Sequence, residues 1–187
     1  MSKRILLLAS GTGSLARAIL SAHRAGEISA NFVALISDKD SPALQVAREF
    51  GVEDFYIPMQ ATRSHWDHKI FDRTLDLNPD LIVSVGFMRI LAPRYVSIFR
   101  VINTHPSLLP LHPGAHAVRD ALQSGVSITG STVHWVNSGL DTGSVISQRN
   151  VEVFTHDDEA TLHERIKIVE RALIVETLTE YGRTGKL

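Results

Sequence analysis

The 187-residue chain contains no cysteine, which excludes a disulfide framework, thiolate catalysis and cysteine-ligated zinc, and fits a reducing cytosol. It also lacks a charge excess. Nineteen Lys and Arg stand against twenty Asp and Glu, a net charge of -1, so the broad basic surface that nucleic acid or an anionic membrane requires is missing. An anionic partner must therefore be small and locally bound. Long apolar runs are absent too: Ile5 to Ala9 stops at Ser10-Gly11, too short for the core of a signal peptide. Leu81 to Met88 is broken by Ser84 and Gly86 and falls far short of the ~20 residues of a membrane span. The expectation is a soluble cytoplasmic protein with no nucleic-acid or membrane partner. With 44% hydrophobic and 21% charged residues, disorder, collagen-like repeats and coiled coil are excluded as well. No repeat, linker-like or low-complexity segment interrupts the chain, and its length suits one domain over residues 1–187 that buries about two thirds of its unfolded surface.

What is present is an alternation of strands and helices. Ile5-Leu6-Leu7-Leu8-Ala9 is a continuous apolar run of the kind found in parallel strands buried on both faces. Leu15, Ala18, Ile19 and Ala22 then follow helical spacing, with Ser14 at the start and Gly26 at the stop. The pattern repeats as strand 32–36, helix 41–50, strand 54–57, helix 64–77, strand 81–85 and strand 101–103. This predicts a doubly wound, mostly parallel α/β sheet. Beyond a Pro-rich loop over 104–113 come a helix near 116–123 and two extended segments, 131–136 and 145–153, which predict antiparallel additions to the sheet. Thr155-x-x-Asp158 reads as a helix start, and Leu162, Ile166, Val169 and Leu173 form one stripe of a long terminal helix.

Several residues could carry chemistry. Ser10-Gly11-Thr12-Gly13-Ser14 joins the first strand to the first helix, where backbone N–H groups and the positive helix end suit a phosphate. It is neither a dinucleotide fingerprint nor a P-loop, so an ordinary turn remains open at this level. Asn103 and His105, two apart on an extended segment, point the same way at the carboxyl end of a strand, where an amide could donate to an oxyanion and an imidazole move a proton. Asp141 stands in the turn Gly139-Leu140-Asp141-Thr142-Gly143 and would orient His105 if the two met. Lys167 and Glu170 lie on one side of the terminal helix, either a pair reaching into a cleft or a surface salt bridge. Arg63 and Arg89 could each clamp a carboxylate. His112 and His116 straddle Pro113-Gly114 and do not share a helix face, so no metal site is expected among His105, His112 and His116.

Taken together, Ala9-Ser10-Gly11-Thr12-Gly13-Ser14, Gly86-Phe87-Met88-Arg89-Ile90-Leu91, Asn103-Thr104-His105-Pro106-Ser107-Leu108-Leu109-Pro110, Pro113-Gly114, Thr132-Val133-His134 and Leu140-Asp141-Thr142-Gly143 resemble the folate-dependent formyltransferases. The match runs in order through nearly the whole chain. It is closest to the members that formylate a glycinamide ribonucleotide.

The resemblance implies a Rossmann-like formyltransferase domain, with about 1–100 on the phosphate side and about 101–187 on the catalytic and folate side. It implies direct formyl transfer from 10-formyltetrahydrofolate, as co-substrate, to the amine of 5'-phosphoribosylglycinamide in de novo purine biosynthesis, by a monomer or homodimer. Asn103, His105 and Asp141 match the catalytic amide, imidazole and carboxylate. Gly11, Thr12, Gly13, Ser14 and the backbone of Leu15 would hold the phosphate, and Lys167 and Glu170 would contact the ribose end or a nearby phosphate oxygen. Met88, Arg89, Ile90, Leu91, Leu140 and Asp141 would line the pterin, with Arg63 or Arg89 on the glutamyl carboxylate.

The sequence departs from the family pattern at Leu15, where many relatives carry Asn, and at Val118, where some carry a second histidine. A formyl-folate hydrolase, a transferase acting on initiator tRNA or on an amino sugar, and a ligand-binding module without turnover are the alternatives. The tRNA reading needs a further domain and a basic surface, and the hydrolase leaves the phosphate turn without a use.

Overall fold

Ile5, Leu6, Leu7, Leu8 and Ala9 have no exposed surface, because both faces of their strand are covered by helices. The computed structural model describes residues 2–187. In chain order the elements are β1 (Lys3–Ala9), α1 (Ser14–Arg24), β2 (Ala30–Ser37), α2 (Pro42–Glu49), β3 (Asp54–Tyr56), α3 (Arg63–Leu77) and β4 (Leu81–Ser84). They continue as α4 (Pro93–Ile98), β5 (Val101–His105), α5 (Ala117–Gln123), β6 (Ile128–Trp135), β7 (Val145–Glu152) and α6 (Glu159–Thr184). One seven-stranded sheet runs in the order β3-β2-β1-β4-β5-β6-β7. The β1–β2, β1–β4, β2–β3 and β4–β5 pairs are parallel, whereas β5–β6 and β6–β7 are antiparallel. A single-domain α/β sheet with antiparallel C-terminal strands is therefore what the alternating pattern produces.

Strand pleating sorts β1 into two cores, since successive side chains point to opposite faces. Ile5, Leu7 and Ala9 join the core under α1, α2 and α6, with Leu15, Ile19, Leu173 and Leu178 among its members. Leu6 and Leu8 join the other, with Trp66, Ile70 and Tyr95 from α3 and α4. Full burial of one such aliphatic side chain is worth about 1.5–3 kcal/mol.

Three elements differ from the sequence expectation. The helix α4 was not anticipated, because its six residues bury only Tyr95 and show no apolar period. The terminal helix begins after Asp158 rather than at Thr155: the Asp158 side chain accepts from the Thr161 N–H, and the Thr161 hydroxyl accepts from the Asp158 N–H. The strand β5 also runs on to His105, two residues beyond expectation, because pairing with β6 continues the ladder there.

Strand order reverses between β1 and β4, so the connections leaving their carboxyl ends diverge and open a crevice, the usual ligand position in open α/β sheets. The turn leaving β1 is closely packed. Gly13 caps α1 in the left-handed region at φ 76°, and a Cβ there would lie 2.8 Å from the Ala43 Cα of α2. Gly11, by contrast, faces open space.

Gly13→Ala should therefore lower stability by about 1–3 kcal/mol in urea unfolding, from backbone strain and the contact with α2 together. Gly11→Ala should leave the midpoint nearly unchanged. Equal midpoints for the two variants would show that the turn relaxes freely.

Candidate active site

Pleating decides which side chains of β5 can meet. Asn103 and His105 project to one face and Thr104 to the other. In the antiparallel register Asn103 stands opposite His134 of β6, and His105 opposite Thr132. Asn103 Nδ2 donates to His134 Nε2 at 3.4 Å, and the His105 and His134 rings lie nearly perpendicular with centroids 6.4 Å apart.

Asp141 arrives from the β6–β7 connection. Its φ of 52° is in the left-handed region, where Asp is among the tolerated residues. The turn is held by the Asn137 carboxamide oxygen, which accepts from the Gly139 N–H at 3.0 Å and the Thr142 hydroxyl at 2.9 Å. Gly143 lets the returning chain pass close by, since a Cβ there would collide with the Trp135 carbonyl. So placed, Asp141 Oδ2 lies 3.4 Å from His105 Nδ1 and accepts the Gly114 N–H at 2.8 Å, while Oδ1 lies 3.7 Å from His134 Nε2. The three residues singled out as catalytic candidates are brought together.

Two contributors to this cluster were missed in the sequence. The His112 carbonyl accepts a hydrogen bond from His105 Nε2 at 2.8 Å. With Nε2 engaged there, the other ring nitrogen, Nδ1, is the one that faces Asp141. His134 was visible only as part of a motif; its partnership with Asn103 needed the β5–β6 register. Its Nδ1–H donates to the Trp135 carbonyl at 2.9 Å, so Nε2 is left as the acceptor for the Asn103 amide. This fixes which way the carboxamide faces and frees its other N–H. Burial holds the His134 pKa below the ordinary 6.5, against the opposing pull of its backbone hydrogen bond and of Asp141.

The remaining candidates fall into three places. Gly11, Thr12 and Ser14 line the exposed turn at the start of α1, whereas the Leu15 side chain is buried in the core and only its backbone reaches the turn. Lys167 does not pair with Glu170: its Nζ lies 2.7 Å from Glu164, and Glu170 is buried on the Thr104 side of the sheet. Burial pushes the Glu170 carboxyl above its ordinary pKa, opposed by the Thr104 hydroxyl. The segment after β4 exposes the apolar Met88 and Ile90, Leu140 is exposed on the β6–β7 connection, and the Leu91 side chain is buried. Arg63 donates to Asp67 at 2.8 Å and to the Ile90 carbonyl, and Arg89 donates Nε to Asp38 at 2.6 Å. Both arginines thus brace the 88–91 segment as well as standing near it. Among the described residues no group of three or more His, Asp or Glu is arranged to hold a metal ion, and no helix is long and apolar enough to cross a membrane.

An amide N–H, an imidazole and a carboxylate converging at the strand ends can stabilise an oxyanion and carry a proton from a nucleophile to a leaving group. The chain as a whole is similar to known proteins. Residues 3–178 match the family model described as formyl transferase. The chain is 46% identical to the phosphoribosylglycinamide formyltransferase of Mycobacterium tuberculosis over 186 residues, covering 97% of this chain and 86% of that protein. It is 38% identical to the Escherichia coli phosphoribosylglycinamide formyltransferase over 174 residues, covering 90% and 82%. The crystal structure of glycinamide ribonucleotide transformylase 1 from Symbiobacterium toebii superposes with a TM-score of 0.93 at 34% identity, covering 97% of this chain and 88% of that one.

The lowered pKa of His134 has a sign that can be tested. The folded state keeps His134 neutral where the unfolded chain takes up a proton, so stability falls as pH drops below 6.5 and is regained above it. His134→Gln should flatten this slope in urea unfolding between about pH 5 and 7.5. An undiminished slope would mean that another group carries it.

Proposed function

The chain belongs to the formyl transferase family, and we propose that it transfers formyl from 10-formyltetrahydrofolate to the amine of 5'-phosphoribosylglycinamide, a step of purine biosynthesis. The observation that carries this reading is the convergence of Asn103, His105 and Asp141. The amine nitrogen attacks the formyl carbon and a C–N bond forms. The carbonyl oxygen becomes an oxyanion, which the free Asn103 N–H and a protonated His105 stabilise. Asp141 faces the His105 proton and accepts the one released by the amine, directly or through water. The bond to the folate nitrogen then breaks, that nitrogen takes up the proton held by Asp141, directly or through water, and the formamide and tetrahydrofolate leave.

The substrates have separate approaches. The turn of Gly11, Thr12, Gly13, Ser14 and Leu15 holds the phosphate on backbone N–H groups at the start of α1, which is why a buried Leu15 serves where relatives use Asn. Glu170 and Lys167, from α6 on the same side as α1, face the ribose end. The pterin lies on the backbone of 88–91 against Met88, Ile90 and Leu140, and Arg63 or Arg89 meets the glutamyl carboxylate. The phosphate side therefore draws on the α1 and α6 face and the folate side on the α3 face, with the catalytic residues at the strand ends between them.

Loss of 10-formyltetrahydrofolate, followed by absorbance with and without the ribonucleotide, tests the activity. Turnover should require the ribonucleotide, and Asn103→Ala should lower kcat by about 10²–10³ without unfolding the chain. Asp141→Asn should lose most of the rate. Folate consumption without the ribonucleotide would instead mark a hydrolase, and a fully active Asn103→Ala would remove that residue from the mechanism. Glu170→Gln should raise stability at neutral pH, since it removes the desolvated charge, while raising KM for the ribonucleotide. If KM is unchanged, Glu170 has no part in binding it.

A further inference from the structure

The Asp38 side chain has no exposed surface, yet it is an acidic residue at the end of β2 that the chemistry above does not use. Its two oxygens are taken by different parts of the chain. Oδ1 accepts the Ser10 hydroxyl at 2.5 Å, and Oδ2 accepts Arg89 Nε at 2.6 Å. Ser10 in turn accepts the Met88 N–H on its Oγ at 2.8 Å, and its own N–H donates to the Gly86 carbonyl at 3.1 Å. A single buried carboxylate thus ties the carboxyl end of β1, where the phosphate turn begins, to the segment leaving β4.

These are the connections on the two sides of the crevice, where strand order reverses and backbone hydrogen bonding between them ends at Ser10 and Gly86. The Val85 N–H still donates to the Leu8 carbonyl and the Ser10 N–H to the Gly86 carbonyl, but beyond Gly86 the hold on Met88 and Arg89 comes from side chains. The Asp38 clasp supplies that hold with charge-assisted bonds, which are short and directional. Burying a carboxylate is unfavourable unless it is paired and its remaining lone pairs are filled, and both conditions are met by Ser10 and Arg89. Met88 and Ile90 stay exposed on the clasped segment, so the clasp leaves their side chains available to a ligand while fixing the backbone that carries them.

We infer that Asp38 is a positioning residue that holds the 88–91 segment in its ligand-binding geometry through Ser10 and Arg89. This rests on the proposal that the segment receives the folate. Asp38 touches neither substrate, and its effect is on binding of the formyl donor rather than on the chemical step.

Asp38→Asn removes the charge and leaves Arg89 partly solvated, since a third of the Arg89 side chain is exposed. Ser10→Ala removes the bridge to the Met88 N–H and one donor to Asp38 while keeping the Asp38–Arg89 ion pair, and it carries the test if Asp38→Asn does not fold. In the ligand-free protein, the amides of 86–90 should exchange with solvent about tenfold faster in either variant. With both substrates, KM for 10-formyltetrahydrofolate should rise about tenfold, while kcat and KM for the ribonucleotide stay within about threefold. Unchanged exchange, or faster exchange with an unchanged folate KM, overturns the positioning role. A parent protein that does not turn over formyl-folate overturns the functional reading instead, and the exchange measurement still decides whether the clasp holds the segment.

Discussion

The fold depends on central parallel strands that are covered by helices on both faces. Burial of β1 on both sides leaves no polar surface along the middle of the sheet, so polar chemistry is confined to the strand ends. Parallel pairing brings the carboxyl ends of β1, β2, β4 and β5 to one edge. The order reversal between β1 and β4 then parts the loops that leave them. The phosphate turn, the 88–91 segment and the Asn103–His105 pair gather there for the same topological reason.

At that edge one carboxylate organises the chemistry. Asp141 divides its oxygens among His105, His134 and the Gly114 N–H, and reaches them from a turn with a left-handed residue and a glycine closely packed on Trp135. The two histidines are held differently. His134 is locked by the Trp135 carbonyl as an acceptor for Asn103, whereas His105 sits between the His112 carbonyl and the Asp141 carboxylate.

A second carboxylate, Asp38, has an architectural place in the same crevice. Beyond the Ser10–Gly86 backbone bond the ladder no longer joins the β1 and β4 connections, and a buried acid with a serine and an arginine takes over. The site is thus framed by two acids, Asp141 partly exposed among histidines and Asp38 fully enclosed. Burial and choice of partners set their roles.

The continuous apolar run at Ile5–Ala9, the helical stripe through Leu162, Ile166 and Leu173, and the Asn103-x-His105 spacing are local patterns, so fold class and the core of the site were legible in the sequence alone. Helix α4 was not, because Pro93–Ile98 is too short to show a period. The start of α6 was misplaced because Thr155 and Asp158 are both plausible caps, and only the hydrogen bonds with Thr161 distinguish them. Lys167 and Glu170 share a helix side by spacing, yet the packing of α6 turns one toward Glu164 and buries the other beside Thr104. Periodicity and motif order determined the strands, the helices and the identity of the chemical groups. Tertiary structure alone decided that Asp141 reaches His105, that His134 orients Asn103, and that Asp38 clasps Ser10 and Arg89, because each contact joins residues 28 or more positions apart through register and burial.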